Sequence, residues 1–324
     1  MFTEEEILTQ PDEFKKVLSF LNQLPSNTLP EFLFTSDIVY FVGCGSSYYL
    51  AISASKYFTR ITGIETKALQ SSEVLFADRF VLGSKKFKRS AVLISRSGNT
   101  TETVLAARKL SQIGLRTFAI TLDQKSDLCR SCDLYLALPI DEKSVVMTKS
   151  FTCILLSLFY ITDKISGNQQ KYQRLAKQSE DFLTKSAELI ASKSLMNANH
   201  YVFLGTGVYE GIAKESALKL EEMSLTLTEA YSTLEYRHGP KSLANQQVVI
   251  VLYASDQNTE ELNLLNEMKN YGALTILREP IAKNGEDAFV QVTFAQLLGL
   301  SIAKRKGLNP DQPRNLSKVV TLSN

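Results

Sequence analysis

The chain has 324 residues, 44% of them hydrophobic, and its 36 basic and 34 acidic side chains leave a formal net charge of +2. This length exceeds one ordinary hydrophobic core, so we expect two domains, and the composition excludes an intrinsically disordered protein. The near balance of charge, without a conspicuous basic run interleaved with aromatic residues, argues against a nucleic-acid partner.

The N-terminus and the cysteines exclude further classes of protein. Residues 1–6 are acidic, unlike the basic start of a signal peptide, and no apolar run approaches the length of a membrane span. Cys44, Cys129, Cys132 and Cys153 are too few for a disulfide scaffold, and no second pair or nearby histidine completes a zinc site at the two central ones. We therefore expect a soluble cytoplasmic protein with no metal, no cofactor and no membrane partner.

The first half of the chain predicts a helical segment followed by alternating strands and helices. Apolar residues recur at helical spacing over 3–23, and Pro25 and Pro30 end that pattern. Strands are predicted at 38–42, 65–69, 91–94, 116–122 and 134–138, and helices from about residues 48, 103 and 148. This alternation is typical of a doubly wound α/β domain with a parallel sheet.

Two of these strands end in loops that are rich in hydroxyl groups and glycine. The first loop is Gly43-Cys44-Gly45-Ser46-Ser47, and the second is Ser95-Arg96-Ser97-Gly98-Asn99-Thr100. Each precedes a predicted helix, whose first N–H groups lack intrahelical partners and carry the positive end of the dipole. Such a loop suits a phosphate, although ordinary helix capping explains the same residues equally well.

The second half of the chain repeats the first. After a polar helical stretch of about 168–196, Phe203-Leu204-Gly205-Thr206-Gly207 matches Phe41-Val42-Gly43-Cys44-Gly45 at an offset of 162 residues. A strand at 248–252 likewise repeats the strand at 91–94. The second domain is therefore predicted to be a copy of the first.

The copies differ in the second loop. Ala254-Ser255-Asp256-Gln257 stands where the first copy has Ser95-Arg96-Ser97-Gly98, so the glycine is lost and a carboxylate is gained. Asn258-Thr259 still corresponds to Asn99-Thr100. Because the repeat keeps the strand and helix without the serines, we interpret the first loop as an anion cradle and expect one phosphate site per chain.

A helix predicted from about Val208 carries the first group of candidate chemical residues. Glu215, Lys219, Glu222 and Thr226 share one face at helical spacing. From periodicity alone, an ion-paired face in contact with solvent is the favoured interpretation.

Two further candidates lie outside regular patterns. His238 is in the loop Tyr236-Arg237-His238-Gly239-Pro240, where a helix is broken, and Lys318 is in a C-terminal tail without periodicity. Each has an ordinary structural explanation when it is taken by itself.

Together these motifs resemble the double sugar isomerase (SIS) domain family. The resemblance covers about residues 35–324 and includes the two loops together with Ala217–Glu222, Glu235–Pro240 and Asp311–Lys318. It is strongest for the isomerase half of glucosamine-6-phosphate synthase and for stand-alone glucosamine-6-phosphate deaminases.

The family implies two flavodoxin-like SIS domains in tandem, each an α/β domain with a doubly wound parallel sheet. We place the domain boundaries as follows: an N-terminal helical segment at 1–34, a first, phosphate-binding domain at 35–167, a second domain at 168–306 and an active-site tail at 307–324.

The resemblance also implies roles for individual residues. Glu222 corresponds to the carboxylate that moves a proton between C1 and C2, and Lys318 to the tail lysine that forms a Schiff base with the ketose in the synthase. His238 corresponds to the ring-opening histidine, which in the family reaches the neighbouring subunit's site and so implies a homodimer. The implied phosphate and sugar contacts are Ser46, Ser47, Ser95, Arg96, Ser97, Thr100 and Val145, and the further lining candidates are Glu142, Lys149, Glu215 and Lys219. The synthase has glutamine at the position of Arg96 and serine at that of Met147.

The expected reaction is deamination of a hexosamine phosphate. The synthase needs a glutaminase domain with an N-terminal cysteine, whereas this chain begins Met1-Phe2-Thr3. We therefore expect glucosamine 6-phosphate to be converted into fructose 6-phosphate and ammonia by ring opening, C1/C2 proton transfer and imine hydrolysis. One base that reaches both carbons and a histidine that titrates near neutrality suffice for this chemistry.

Two alternatives stay open. One is an aldose/ketose isomerase or deaminase-isomerase for another phosphosugar, such as tagatose or galactosamine 6-phosphate, because Ser-Arg-Ser-Gly also resembles that branch. The other is a non-catalytic phosphosugar-binding regulator. The first 35 residues contain no evident helix-turn-helix or basic patch, which argues against the regulator.

Overall fold

A computed structural model of the chain describes residues 1–25, 28–164, 169–191, 193–196, 198–256 and 259–320. The chain forms two compact units that do not follow chain order. The first-sheet unit comprises Glu13–Glu142, Cys153–Tyr172 and the tail from Ser317. The second-sheet unit comprises Met1–Asp12, Lys143–Thr152 and Gln173–Leu316.

The helices and strands follow the alternation that the apolar runs predict. The strands are β1 (Ile38–Gly43), β2 (Glu65–Gln70), β3 (Arg89–Ile94), β4 (Arg116–Thr121), β5 (Leu134–Ala137), β6 (His200–Gly205), β7 (Leu227–Tyr231), β8 (Val248–Tyr253) and β9 (Leu274–Arg278). The α-helices are α1 (Phe2–Leu8), α2 (Gln10–Gln23), α3 (Ser46–Thr62), α4 (Ser71–Phe76), α5 (Asp78–Val81), α6 (Thr101–Gln112), α7 (Asp127–Ser131), α8 (Lys149–Asp163), α9 (Gln170–Ile190), α10 (Lys193–Met196), α11 (Tyr209–Ser224), α12 (Thr259–Asn270), α13 (Ala288–Gln291) and α14 (Thr293–Arg305). Short 3₁₀ turns cover Glu31–Thr35, Thr233–Arg237, Pro240–Leu243 and Lys283–Gly285.

The sheet of the first-sheet unit has parallel strands in the order β2-β1-β3-β4-β5. β1 is buried along its whole length, with Phe41 opposite Ala68 of β2 and Val92 of β3. Val42 and Leu93 pack with Leu110 of α6 in the core of this sheet. Continuous apolar runs of this kind belong to strands that helices cover on both faces, and the strand order is that of a flavodoxin-like domain.

The second sheet repeats this arrangement with parallel strands in the order β7-β6-β8-β9. Both copies need glycine where the central strand turns into its helix. A Cβ at Gly43 would lie 2.6 Å from the carbonyl group of Ser47, and one at Gly205 would lie closer still to the carbonyl oxygen of Tyr209. The predicted α/β fold with two doubly wound sheets is therefore confirmed.

The N-terminal helical segment is divided into two helices, where the spacing suggests one. α1 ends at Leu8, α2 begins at Gln10, and Thr9 between them has φ −89° and ψ 3°. Pro11 explains the division, because it lacks the N–H that a continuous helix would need at that position. In the first turn of a new helix that N–H has no intrahelical partner anyway.

Among the helices of the described residues, none is both long and apolar enough to cross a membrane. The predicted domain boundaries remain a prediction, and the one at 167/168 falls outside the described residues.

Candidate active site

The two serine loops lie at the carboxyl edge of the first sheet, after the neighbouring strands β1 and β3. The chain passes from β1 to β2 on one side of the sheet, and then to β3 on the other side of β1. The carboxyl ends of β1 and β3 are therefore the point where the strand order reverses. In open α/β sheets, ligands bind at such a point. Ser46 and Ser47 begin α3 and are both buried, directly after Gly45, which has a φ of +54°.

The loop from Ser95 to Thr100 is held in shape by its own hydroxyl groups. The Gly98 N–H donates to Ser95 Oγ and the Asn99 N–H to Ser97 Oγ, both at 3.1 Å. Ser95 Oγ also lies 3.2 Å from Thr100 Oγ1. Gly98 has a φ of +64°, and a Cβ there would overlap Ser126, so the conformation requires glycine. The serines and the glycine therefore preorganise the loop that precedes α6.

Arg96 joins this loop to a buried carboxylate. Its Nη1 atom lies 3.0 Å from Glu142 Oε2, and the two side chains are only 8% and 0% exposed. Its Nη2 atom donates to the carbonyl oxygen of Lys318 at 3.1 Å. Arg96 therefore holds both Glu142 and the C-terminal tail, although it was predicted only as a sugar or phosphate contact.

The tail residue Lys318 also contacts Glu142. Its Nζ atom donates to the carbonyl oxygen of Glu142. Two residues later, the carbonyl oxygen of Val320 accepts from the Thr101 N–H at 3.4 Å, at the N-terminus of α6. The tail is thus packed beside the serine loop within the first-sheet unit, and the exposed side chain of Lys318 is hydrogen-bonded to that unit.

The predicted helix face on α11 is a buried charge cluster. Lys219 Nζ lies 3.1 Å from Glu215 Oε1 and 2.5 Å from Glu222 Oε2. Lys219 and Glu215 are 0% exposed and Glu222 is 18% exposed. The interpretation of this face as solvated is therefore wrong, and Glu222 is the member that reaches the surface.

Lys219 remains an ammonium ion in this cluster. Burial by itself would lower its pKa, but the charges and hydrogen bonds of Glu215 and Glu222 outweigh burial, so the pKa is raised above its ordinary value. Thr226 does not belong to the cluster, because α11 ends at Ser224 and Leu225 adopts a left-handed conformation with φ 48°.

His238 follows the 3₁₀ turn Thr233–Arg237, and its N–H donates to the carbonyl oxygen of Glu235 at 3.0 Å. The residue is exposed, and the next residue, Gly239, has a φ of +132° that favours glycine. His238 therefore lies between two short 3₁₀ turns, Thr233–Arg237 and Pro240–Leu243.

Half-buried Val145 lies in the segment before α8, and buried Lys149 is the first residue of α8; both belong to the second-sheet unit. The segment before α8 is anchored to α1. The Ser144 N–H lies 3.3 Å from the Glu6 carboxylate, and Ser144 Oγ lies 2.9 Å from Thr3 Oγ1. Because Glu6 and Ser144 are 138 residues apart, no local sequence signal indicates that α1 supports this segment.

Asp311 at the start of the tail motif caps α1. Its carboxylate accepts from the N–H groups of Phe2 and Thr3, each at 2.8 Å, and from the Thr3 hydroxyl at 2.7 Å. Burial opposes ionisation of Asp311, but these hydrogen bonds outweigh it and lower the pKa of the carboxyl group. The sequence motif contains Asp311, yet nothing in the motif indicates that its carboxylate binds the N-terminus of α1.

In the described part of the second copy's loop, residues 254–256, a carboxylate replaces the second serine of the first copy. The Asp256 carboxylate accepts from the Asn284 N–H at 2.7 Å, so a negative group occupies the region that corresponds to the first serine loop. The strand β8 and the helix α12 are retained, as predicted. Gln257 and Asn258, which were part of this comparison, lie outside the described residues.

Burial disfavours the reactive thiolate form of Cys129 and Cys132. Burial raises the pKa of the Cys129 thiol, and burial raises that of Cys132 to about 12, so both thiols stay protonated at neutral pH. Within the ranges that the structure describes, no cluster of histidine, cysteine or acidic side chains could hold a metal ion.

Two tandem doubly wound α/β domains, one with a serine-rich loop at its switch point, place the chain in a class of duplicated flavodoxin-like α/β proteins. The SIS domain family model matches residues 32–162 and 194–290. The chain therefore belongs to the SIS domain family, and the resemblance drawn from its motifs is confirmed.

Similar proteins fall into two groups. A glutamine–fructose-6-phosphate aminotransferase (isomerizing) of Pyrobaculum aerophilum is 30% identical over 99% of this chain and 57% of its own length. That of Pseudomonas putida is 32% identical over 88% of this chain and 51% of its own length. The chain thus spans about half the length of these relatives.

Among solved structures, glucosamine-6-phosphate deaminase from Thermotoga maritima has a TM-score of 0.90 and 39% identity, covering 99% of this chain and 100% of that one. Tagatose-6-phosphate ketose/aldose isomerase from Escherichia coli has a TM-score of 0.86 at 23% identity, covering 100% of this chain and 96% of that one. The latter likeness concerns the fold alone.

Proposed function

We propose that this protein is a glucosamine-6-phosphate deaminase, which converts glucosamine 6-phosphate into fructose 6-phosphate and ammonia. The observation that carries the proposal is the cluster of Glu215, Lys219 and Glu222. It holds one partly exposed carboxylate against a buried ammonium ion. The full-length likeness to the Thermotoga maritima deaminase supports the choice of reaction.

Glu222 acts as the general base in this proposal. Once the sugar ring is open, a single carboxylate that reaches both C1 and C2 can remove a proton from one carbon and return it to the other. Lys219 holds Glu222 Oε2 at 2.5 Å, which limits the orientations of the carboxylate. A fixed base position raises the rate because the reacting atoms meet without further ordering.

The serine loops bind the 6-phosphate. Ser46, Ser47, Ser95, Ser97 and Thr100 offer hydroxyl donors beside the N-termini of α3 and α6, whose dipoles favour an anion. The phosphate is remote from C1 and C2, so its binding energy orients the sugar without taking part in bond changes.

The remaining roles follow the family resemblance. Lys318 condenses with the carbonyl group of the open-chain sugar to form a Schiff base with release of water, and hydrolysis of the Schiff base later frees the lysine. Arg96 and Glu142 keep its tail in place. His238 assists ring opening in the neighbouring subunit of a homodimer, and its exposed position supports that role. Val145 contacts the sugar from the segment before α8, and Lys149 contacts it from the first turn of α8.

The test is to incubate the purified protein with glucosamine 6-phosphate and to measure ammonia and fructose 6-phosphate. Equal amounts of the two products are expected. Binding of the sugar without turnover would refute the enzyme and favour a sensor.

A second candidate is an isomerase or deaminase-isomerase for tagatose or galactosamine 6-phosphate. Arg96 favours it, because the Ser-Arg-Ser-Gly loop also resembles that branch of the family. Parallel assays with the three sugar phosphates separate the candidates, since the physiological substrate should give the highest kcat/KM.

A further inference from the structure

A cavity of about 310 Å³ lies at the amino-terminal edge of the first sheet. Its lining includes Arg89, the first residue of β3, and Arg116, the first residue of β4. Ligand pockets generally begin at about 300 Å³, so the cavity can hold a small molecule. The serine loops follow the opposite ends of the strands, and the proposed reaction uses none of the cavity's residues.

The cavity concentrates positive charge. Lys85, Lys88, Arg89 and Arg116 line it, and its lining contains no aspartate or glutamate. Across the described part of the chain, none of these four side chains takes part in an ion pair. The Asp37 carboxylate lies beside the cavity, where it accepts from the backbone N–H of Lys88 at 2.7 Å, so the four cationic side chains remain in excess. An excess of cations on a concave surface attracts negatively charged ligands.

Neutral contacts hold three of the cationic side chains. Lys88 Nζ donates to Thr35 Oγ1 and Arg89 Nη1 to the carbonyl oxygen of Gly83, both at 2.8 Å. The Arg116 guanidinium lies 4.4 Å from the centre of the Phe32 ring. These contacts restrict the side chains without neutralising them, so less conformational entropy is lost when an anion binds.

An aromatic side chain accompanies the charges. Phe87 lines the cavity and is 50% exposed. It belongs to Lys85-Lys86-Phe87-Lys88-Arg89, which is a basic run around an aromatic residue. The expectation that the chain has no such run is therefore wrong, because a net charge near zero conceals a local excess of basic residues.

We propose that this cavity binds a small organic polyanion of the nucleoside di- or triphosphate class. The phosphates would contact the cationic side chains, and the planar base would pack on Phe87. The cations converge on one cavity rather than follow an extended groove, which favours a small ligand over a nucleic-acid strand.

The experiment is calorimetric titration of ATP and of pyrophosphate into the purified full-length protein at physiological salt. ATP is expected to bind more tightly than pyrophosphate, and Phe87→Ala should remove that difference. Lys88→Glu should weaken ATP binding by about tenfold or more, the size of one lost charge-assisted hydrogen bond. Lys86→Glu is the matched control, since it makes the same charge change in the same run but does not line the cavity.

Four results would overturn the proposal. The first is no saturable ATP binding up to about 1 mM, which corresponds to only about 4 kcal/mol. The second is an equal loss of binding in Lys86→Glu and Lys88→Glu, which would indicate a diffuse effect of net charge. The third is loss of ATP binding in Ser97→Ala, which would place the ligand in the serine loop. Much tighter binding of a single-stranded RNA oligonucleotide than of ATP would also replace it with a nucleic-acid surface.

Discussion

Replacement of Glu222 by glutamine should separate the proposed proton transfer from the stability of α11. The amide keeps the shape of the side chain, and its oxygen can still accept from Lys219, which retains Glu215 at 3.1 Å. A hydrogen bond to a charged group contributes about 1.5–3 kcal/mol. Because only the charge is removed, and from a side chain that is 18% exposed, we expect a loss of about 1–2 kcal/mol in unfolding free energy.

The effect on the reaction should be larger. A positioned general base contributes about 10²–10⁴-fold, or roughly 3–5.5 kcal/mol of barrier. We therefore expect Glu222→Gln to lower kcat by that factor while the protein stays folded. Ammonia release measures kcat, and incorporation of solvent deuterium at C1 and C2 of the sugar, followed by NMR, measures the proton transfer itself.

Glu221 provides the matched control. It precedes Glu222 on the same helix, is exposed, and accepts from the Thr228 hydroxyl at 2.6 Å. Glu221→Gln should leave deuterium incorporation unchanged. Wild-type incorporation in Glu222→Gln, or an equal loss in both variants, would refute the assignment of the base.

Three further predictions concern charged side chains with structural contacts. Lys219→Met removes the ammonium ion from fully buried Glu215 and should cost about 3–5 kcal/mol in chemical denaturation, and the added change Glu215→Gln should restore part of that loss. Arg96→Gln removes the partner of Glu142 and a contact to the tail, so limited proteolysis should cleave the tail faster; an unchanged cleavage rate would show that the guanidinium does not hold it. Asp311→Asn keeps one acceptor oxygen but loses the charge and one of the two backbone hydrogen bonds to α1, so it should cost about 1 kcal/mol at pH 7. Because the folded pKa of Asp311 is lowered, its stabilisation is present at neutral pH and lost as the pH falls below the carboxyl range, so wild type and variant should converge in acid unfolding.

The order of strands and helices could be predicted because each element has a local cause. Continuous apolar runs such as Ile38–Val42 are buried on both faces whatever packs on them, and glycines such as Gly43 and Gly205 are required by a turn only a few residues long. The repeat could be recognised in the sequence for the same reason, because each copy has a buried apolar strand that ends in a required glycine.

The candidate site was predictable in its residues but not in their surroundings. Helical spacing places Glu215, Lys219 and Glu222 on one face, yet burial of that face depends on α14, which packs against α11. Gly299 of α14 permits this approach, because a Cβ there would lie 3.2 Å from the carbonyl oxygen of Lys219. Periodicity describes one helix and carries no information about a partner that lies far along the chain.

The sequence by itself therefore determined the α/β class, the duplication, the serine loops and the family, because all of these depend on short-range patterns. Only the tertiary structure decided that Lys219 is a buried ammonium ion and that Arg96 joins Glu142 to the tail. Arg96 and Lys318 are 222 residues apart. A contact between them costs loop-closure entropy that no local pattern records, and the folded core that offsets this cost is a property of the whole unit.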